Sequence, residues 1–210
     1  MAKIKNYYAG TNSSVGFYSL YDDALDGLDT IYILKGGPGT GKSTFMRKIG
    51  LVLMEKDYDL EYLHCSSDNG SIDGLIAPQL KLGFVDGTSP HVIEPKYPGV
   101  VEKVIDLGQY RDDQYLMKYK DEIIQITDDI SNNFKLAYQT FAEAKKIHLK
   151  REEIYVSSMN FKKADIVLSN LIERIFDKPF DREESPIVKR RFFGAATPKG
   201  AVNFIDNITE

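Results

Sequence analysis

The chain has 210 residues, 42% of them hydrophobic and 28% charged, and a formal net charge of -4. Those values suit one α/β domain with an insertion, and the charge gives no general argument for nucleic acid or an anionic membrane as partner. Cys65 is the one cysteine and His64, His91 and His148 are scattered, so neither an internal disulfide nor a zinc site is expected.

The N-terminus lacks the apolar stretch of a signal peptide, and no run is apolar for the ~18 residues of a membrane span. A reducing, cytoplasmic setting is the expectation.

Residues 1–29 mix aromatics with turn formers (Tyr7, Tyr8, Gly10, Asn12, Gly16), which predicts a short strand or hairpin, then a helix near Asp22–Leu28. Thr30–Leu34 is a β-branched and aromatic run, read as a buried strand. Phe45, Met46, Ile49, Val52 and Leu53 then recur at helical spacing within Ser43–Lys56. Asp59–Cys65 reads as a second strand, 66–80 as a loop, Leu82–Val85 as a third strand ending at Asp86, and 87–99 as a loop.

From Asp112 to about Tyr155 there is no glycine or proline, and Leu116, Tyr119, Ile123, Ile126, Ile130, Phe134, Ala137, Phe141 and Ala144 follow alternating steps of three and four. The pattern predicts a helix–helix seam, packed internally by preference or else zipped against another subunit, with Ser131-Asn132-Asn133 as its break. A further helix fits Lys162–Phe176, ended by Lys178-Pro179, and Arg191–Gly194 reads as a strand.

Between the first strand and first long helix lies Gly36-Gly37-Pro38-Gly39-Thr40-Gly41-Lys42-Ser43, a complete G-x-x-x-x-G-K-[ST] pattern in its strand–loop–helix context. Glycines let successive N–H groups turn inward on phosphates, and the helix start adds the positive end of its dipole. ATP and Mg²⁺ are the expected ligands. Gly36, Gly37, Pro38, Gly39, Thr40, Gly41, Lys42, Ser43 and Thr44 are the candidate nucleotide-binding residues, with Lys42 on the β- and γ-phosphates, Ser43 on Mg²⁺ and Thr44 near the α-phosphate.

Asp86, ending Leu82-Gly83-Phe84-Val85-Asp86, is the candidate second metal ligand and, with Lys42, the candidate catalytic pair. Gly87 follows it, so the glutamate that often activates water in hydrolytic ATPases is missing there; Glu94, His91 and Asp68 are substitutes. The polar run Asp68, Asn69, Ser71, Asp73 is a candidate second-substrate or water-positioning loop. Arg47, Arg111, Arg190 and Arg191 are candidates for phosphate charge.

A faint internal repeat also relates residues 8–22 to residues 192–206. A shift of 184 residues puts Gly10 on Gly194, Gly16 on Gly200, Asp22 on Asp206, Tyr8 on Phe192 and Leu20 on Phe204. It would place a second glycine-rich loop near residue ~220.

Three stretches, Phe17–Tyr21, Ile33–Ser43 and Phe84–His91, together resemble a poorly characterised group of bacterial P-loop ATPases whose members are built as two P-loop halves in tandem. The resemblance covers the whole chain and is most distinctive at Asp86–His91. It implies the N-terminal half of a longer protein, or a truncated form of one, with a second P-loop half or another subunit as partner.

The expected fold is therefore α/β, a P-loop NTPase three-layer sandwich with a mostly parallel sheet. Residues 1–109 and 178–210 would form the core and 110–177 a helical insertion or lid. The expected function is an ATPase domain coupling Mg-ATP binding and hydrolysis to a conformational change. The alternatives are a small-molecule or nucleotide kinase and a non-catalytic nucleotide sensor.

Overall fold

The structure, a computed structural model, describes residues 2–89, 92–176 and 188–209. His91 and Lys178-Pro179 lie outside the described residues.

The architecture is α/β, built on a mixed, mostly parallel six-stranded sheet. In chain order its strands are β1 (Ile4–Tyr7), β4 (Thr30–Lys35), β5 (Leu60–His64), β6 (Ile72–Ala77), β7 (Leu82–Asp86) and β8 (Glu102–Asp106). They lie side by side in the order β1-β5-β6-β7-β4-β8. β1 runs parallel to β5, and β4 parallel to both β7 and β8, while β6 is antiparallel to its two neighbours. Five strands thus point their carboxyl ends to one edge, and β6 starts there. A hairpin of β2 (Gly10–Ser13) and β3 (Gly16–Ser19) leads into α1 (Tyr21–Leu25), and a second hairpin of β9 (Gly194–Thr197) and β10 (Gly200–Asn203) leads into α6 (Ile205–Thr209).

The period-2 alternation of β4 fixes both faces of the sheet. Ile31 and Ile33 point to one side, where Tyr7, Leu63, Ile76 and Val85 meet Tyr21 and Ala24 of α1. Tyr32 and Leu34 point to the other, where Leu75 and Phe84 pack on Phe45, Met46 and Ile49 of α2 (Lys42–Glu55). Helices therefore cover both faces, α1 the one and α2 the other. Met46 is fully buried, so its truncation to alanine should cost ~2–5 kcal/mol.

Several expectations from sequence are corrected. Residues 66–80 are not all loop, because β6 is a wholly buried central strand. The polar pair Asp73-Gly74 hid it, and Gly74 is needed because the Leu63 side chain fills the place of a Cβ. The first short helix begins at Tyr21 and stops at Leu25. The strand expected at Arg191–Gly194 lies further on, at Gly194–Thr197.

Residues 113–175 are helical throughout, as α3 (Asp113–Met117), α4 (Lys120–Ser158) and α5 (Phe161–Ile175) with short links. Yet α4 is one helix of 39 residues, roughly 60 Å long, and does not break at Ser131-Asn133. Asn133 Nδ2 donates to the Asp129 carbonyl four residues back, so its polar side chain is satisfied within the continuous helix. Unbroken, α4 cannot fold on itself, and the expected internal seam is absent: Ile123, Ile126 and Ile130 are each about half exposed. Tyr138 does reach the core, donating its hydroxyl to Asn12 Oδ1.

Candidate functional site

The carboxyl edge of the sheet gathers the chemistry read from sequence. Leu34 and Asp86 are register partners across β4 and β7, and Lys35 and Asp106 across β4 and β8. In open α/β sheets ligands bind beyond this edge.

The glycine-rich loop leaves β4 at Gly36, whose φ of 142° a side chain rarely adopts; a Cβ there would also press on Thr40 Oγ1 and the Gly108 N–H. Gly41 at φ 87° caps α2 in the left-handed region. The first turn of α2 carries no acidic residue and no side-chain cap, so its N–H groups and the positive end of its dipole have no counter-charge from the helix's own first turn.

Lys42 points back into this loop. Its Nζ donates to the carbonyls of Gly36 and Gly37 at 3.2 and 3.0 Å, and stands 3.5 Å from Asp86 Oδ2. The Lys42 side chain is 8% and the Asp86 side chain 15% exposed, so the pair is screened little by salt. The other Asp86 oxygen accepts from the backbone N–H and hydroxyl of Thr88 at 2.9 and 2.5 Å. Ser43 Oγ accepts the Ile72 N–H at 3.1 Å, tying α2 to the start of β6. Thr40 Oγ1 donates to the Gly37 carbonyl at 2.9 Å, and Thr44 is exposed on the helix. The structure thus brings Lys42 and Asp86 together beside Ser43. Among the described residues no group of three His, Cys, Asp or Glu could by itself hold a metal. Ser43 and Asp86 fit a hard cation that keeps most of its other ligands as water and phosphate oxygens, the habit of Mg²⁺.

The remaining candidates separate by position. Glu94 is taken up by Lys35, whose Nζ lies 2.6 Å away and also donates to the Gly87 and Ile93 carbonyls. Asp68 closes its own loop, accepting from the Gly70 N–H and Ser71 Oγ, bonds that lower its carboxyl pKa. Asn69 donates to Thr197 Oγ1 at 3.0 Å, and Arg47 donates to the Gly70 carbonyl at 3.1 Å, so the loop is braced on both sides.

Asp73 is buried at the start of β6 and accepts hydrogen bonds from the Tyr21 hydroxyl and Cys65 thiol. Burial, reinforced by Asp73, pushes the thiol up to about 12 and the Tyr21 hydroxyl well above its ordinary range. Both are fixed as donors.

Arg190 pairs with Asp23, while Arg191 pairs with Glu61 and stacks 4.6 Å over the Tyr7 ring. Both hold the chain's second hairpin rather than the glycine-rich loop. Arg111 does reach that loop. Its guanidinium lies by Gly37 and Gly108, with Nε held by Asp113 at 2.7 Å. Together with Leu107, Tyr110, Leu116 and Ile123 it faces Gly37–Thr40 across a cleft of about 610 Å³. Leu107 and Tyr110 were not singled out from sequence; they arrive because β8, a strand the sequence reading lacked, ends in a 3₁₀ turn at Leu107–Tyr110 packed against β4.

Comparison with family models, curated proteins and solved structures finds no match. The functional reading therefore rests on the chain's own residues. Among the described residues, no helix is long and apolar enough to cross a membrane.

Proposed function

We propose that the chain is a P-loop nucleoside triphosphatase domain that binds ATP with Mg²⁺ at Gly36–Thr44 and hydrolyses it to drive a conformational change. The observation that carries this reading is the convergence of Lys42, Ser43 and Asp86 at the carboxyl edge of the sheet, behind a complete G-x-x-x-x-G-K-S loop. Lys42 is already inside the loop, bonded to carbonyls it would exchange for β- and γ-phosphate oxygens. Ser43 and Asp86 would hold Mg²⁺, which supplies charge neutralisation on the transferring phosphoryl group. The free N–H groups of α2 would take the phosphates.

The cleft beside Gly37–Thr40 favours a second reading, a kinase. It offers a mostly apolar space with one arginine next to where a terminal phosphate would sit, room for an acceptor molecule.

One experiment separates the readings. Purified chain is titrated with ATP with and without Mg²⁺, and ADP release is followed with and without a panel of hydroxyl-bearing acceptors. Acceptor-independent release supports the triphosphatase, and release that requires an acceptor supports the kinase. No binding by the wild-type chain, or equal binding by Lys42→Ala, sinks both.

A further inference from the structure

A second cavity, of about 320 Å³, opens on the face of the sheet that α1 covers, opposite α2. Ile31 of β4 lies in it with Leu28 and Val101, and Ile93 and Tyr97 of the loop before β8 complete its apolar part. No residue of the glycine-rich loop lines it. A space of this size suits a small molecule.

Four carboxylates line the same cavity: Asp22, Asp26, Glu94 and Glu102. Two of them have a cation. Lys96 Nζ stands 2.8 Å from Asp22, and Lys35 Nζ 2.6 Å from Glu94. Asp26 and Glu102 have no ion-pair partner among the described residues. Lys96 does not fill the gap, because it stays with Asp22 and its side chain is 66% exposed.

Glu102 opens β8 and is only 8% exposed. Its Oε2 accepts the Tyr97 N–H at 2.7 Å, across a turn in which the Val101 N–H also reaches the Tyr97 carbonyl. Its Oε1 accepts no hydrogen bond among the described residues. The described side-chain atoms that are both sealed from solvent and unpaired are Ser67 Oγ and Arg191 Nε. Oε1 is therefore open, and it opens on the cavity that Glu102 lines. The turn needs one oxygen of this carboxylate. The charge itself is withdrawn from bulk water without a counter-charge, which is costly.

We propose that this cavity binds a small organic cation, a protonated amine carried on an apolar body, with the ammonium on Glu102 Oε1 and the body against Leu28, Ile31 and Val101. The local charge selects the sign. Four carboxylates against the two ammonium groups of Lys35 and Lys96 leave two negative charges, so an anion, nucleotides included, is repelled. A neutral molecule of the same shape gains the apolar contacts but leaves Glu102 without its counter-charge. The inference stands apart from the nucleotide reading, since the two sites share no lining residue.

The test uses the full chain without nucleotide, with its isoleucine methyl groups isotopically labelled and followed by NMR. Phenethylamine, protonated at neutral pH, is titrated beside phenethyl alcohol, which has the same body without the charge, and phenylpropionate, which reverses the charge. The amine is expected to shift the methyls of Ile31 and Ile93 and to leave that of Ile123, beside the glycine-rich loop, in place. It should bind at least about tenfold more tightly than the alcohol, and the propionate should not bind.

Glu102→Gln keeps an oxygen for the Tyr97 N–H and removes the charge, so the amine should lose its advantage over the alcohol. Asp26→Asn changes an exposed residue and should lower that advantage about threefold. Four results overturn the proposal: no shift with the amine, shifts at Ile123 in place of Ile31 and Ile93, equal binding of amine and alcohol by the wild type, or a full advantage in folded Glu102→Gln. Where Glu102→Gln does not fold, a full advantage in Asp26→Asn overturns it instead.

Discussion

Lys42 Nζ and Asp86 Oδ2 stand 3.5 Å apart, the one from the start of α2 and the other from the end of β7, with β4 between the loop and the strand. Each group has a second anchor within the chain: the Gly36 and Gly37 carbonyls for the ammonium, Thr88 for the carboxylate. Removing either should therefore disturb ligand binding more than folding. Lys42→Ala is expected to weaken ATP binding by about tenfold to a hundredfold, the loss of one charge-assisted contact at ~1.5–3 kcal/mol, with little change in melting temperature. Calorimetric titration beside thermal unfolding checks both halves.

Asp86→Asn makes a different prediction. It retains the size of the side chain but loses its charge, so the dependence on metal should change more than the affinity for nucleotide. Wild type should bind ATP more tightly with Mg²⁺ than with EDTA, and Asp86→Asn should lose most of that difference. If the variant keeps the full Mg²⁺ increment, Asp86 is not a metal ligand and its role is confined to its contacts with Lys42 and Thr88.

Arg111 is the one candidate arginine beside the glycine-rich loop. Positioned there it should act on charge that develops at the terminal phosphate, so Arg111→Ala should lower kcat by about tenfold or more with a smaller effect on KM. Arg111→Lys should rescue only in part, because the Asp113 contact uses Nε and leaves the guanidinium fork aimed at the loop. An equal rise in KM at constant kcat would assign Arg111 to ground-state binding instead.

What could be read in the sequence was local pattern. The strand Thr30–Leu34, the loop Gly36–Ser43, the helix after it and the strand ending at Asp86 each announce themselves over a few consecutive residues, and the structure has all four. β6 was missed because its burial depends on partners distant in the chain: Asp73 is satisfied by Tyr21 and Cys65, and Gly74 by the bulk of Leu63. The continuity of α4 was misjudged for the opposite reason, since polar residues that often break helices bond back to their own helix here. The role of Tyr110 and Leu107 depended on β8, whose residues alternate too weakly to announce a strand.

His64 offers a test of the fold that does not involve nucleotide. Burial, helped by Arg47, lowers its pKa to about 4, and its ring lies 4.4 Å from Phe204 while Nε2 bonds Asn6 Oδ1 at 2.8 Å. Between pH 6.5 and 4 the unfolded chain takes up a proton that the folded chain refuses. Stability from this group is therefore full above pH 6.5 and is lost as pH falls toward 4, by about 2 kcal/mol. His64→Gln should flatten that part of the urea-unfolding profile. An unchanged slope would place the acid sensitivity elsewhere.

Cys65 predicts a chemical behaviour from the same logic with the opposite sign. The thiol is donated to Asp73 and its pKa is pushed up to about 12, so at pH 8 the folded chain holds almost no thiolate, the species that alkylates. Iodoacetamide should label Cys65 at a rate set by unfolding, at least ~100-fold slower than a free thiol, and labelling should track the denaturant transition. The raised pKa also means that stability from this group is present below pH 9 and falls as pH climbs from 9 toward 12. Cys65→Ser should remove that alkaline loss while retaining a donor for Asp73, whereas Cys65→Ala should leave the buried carboxylate short of one hydrogen bond and destabilise by about 1–3 kcal/mol. Rapid labelling of the native protein at pH 8 would show that the thiol is not held by Asp73.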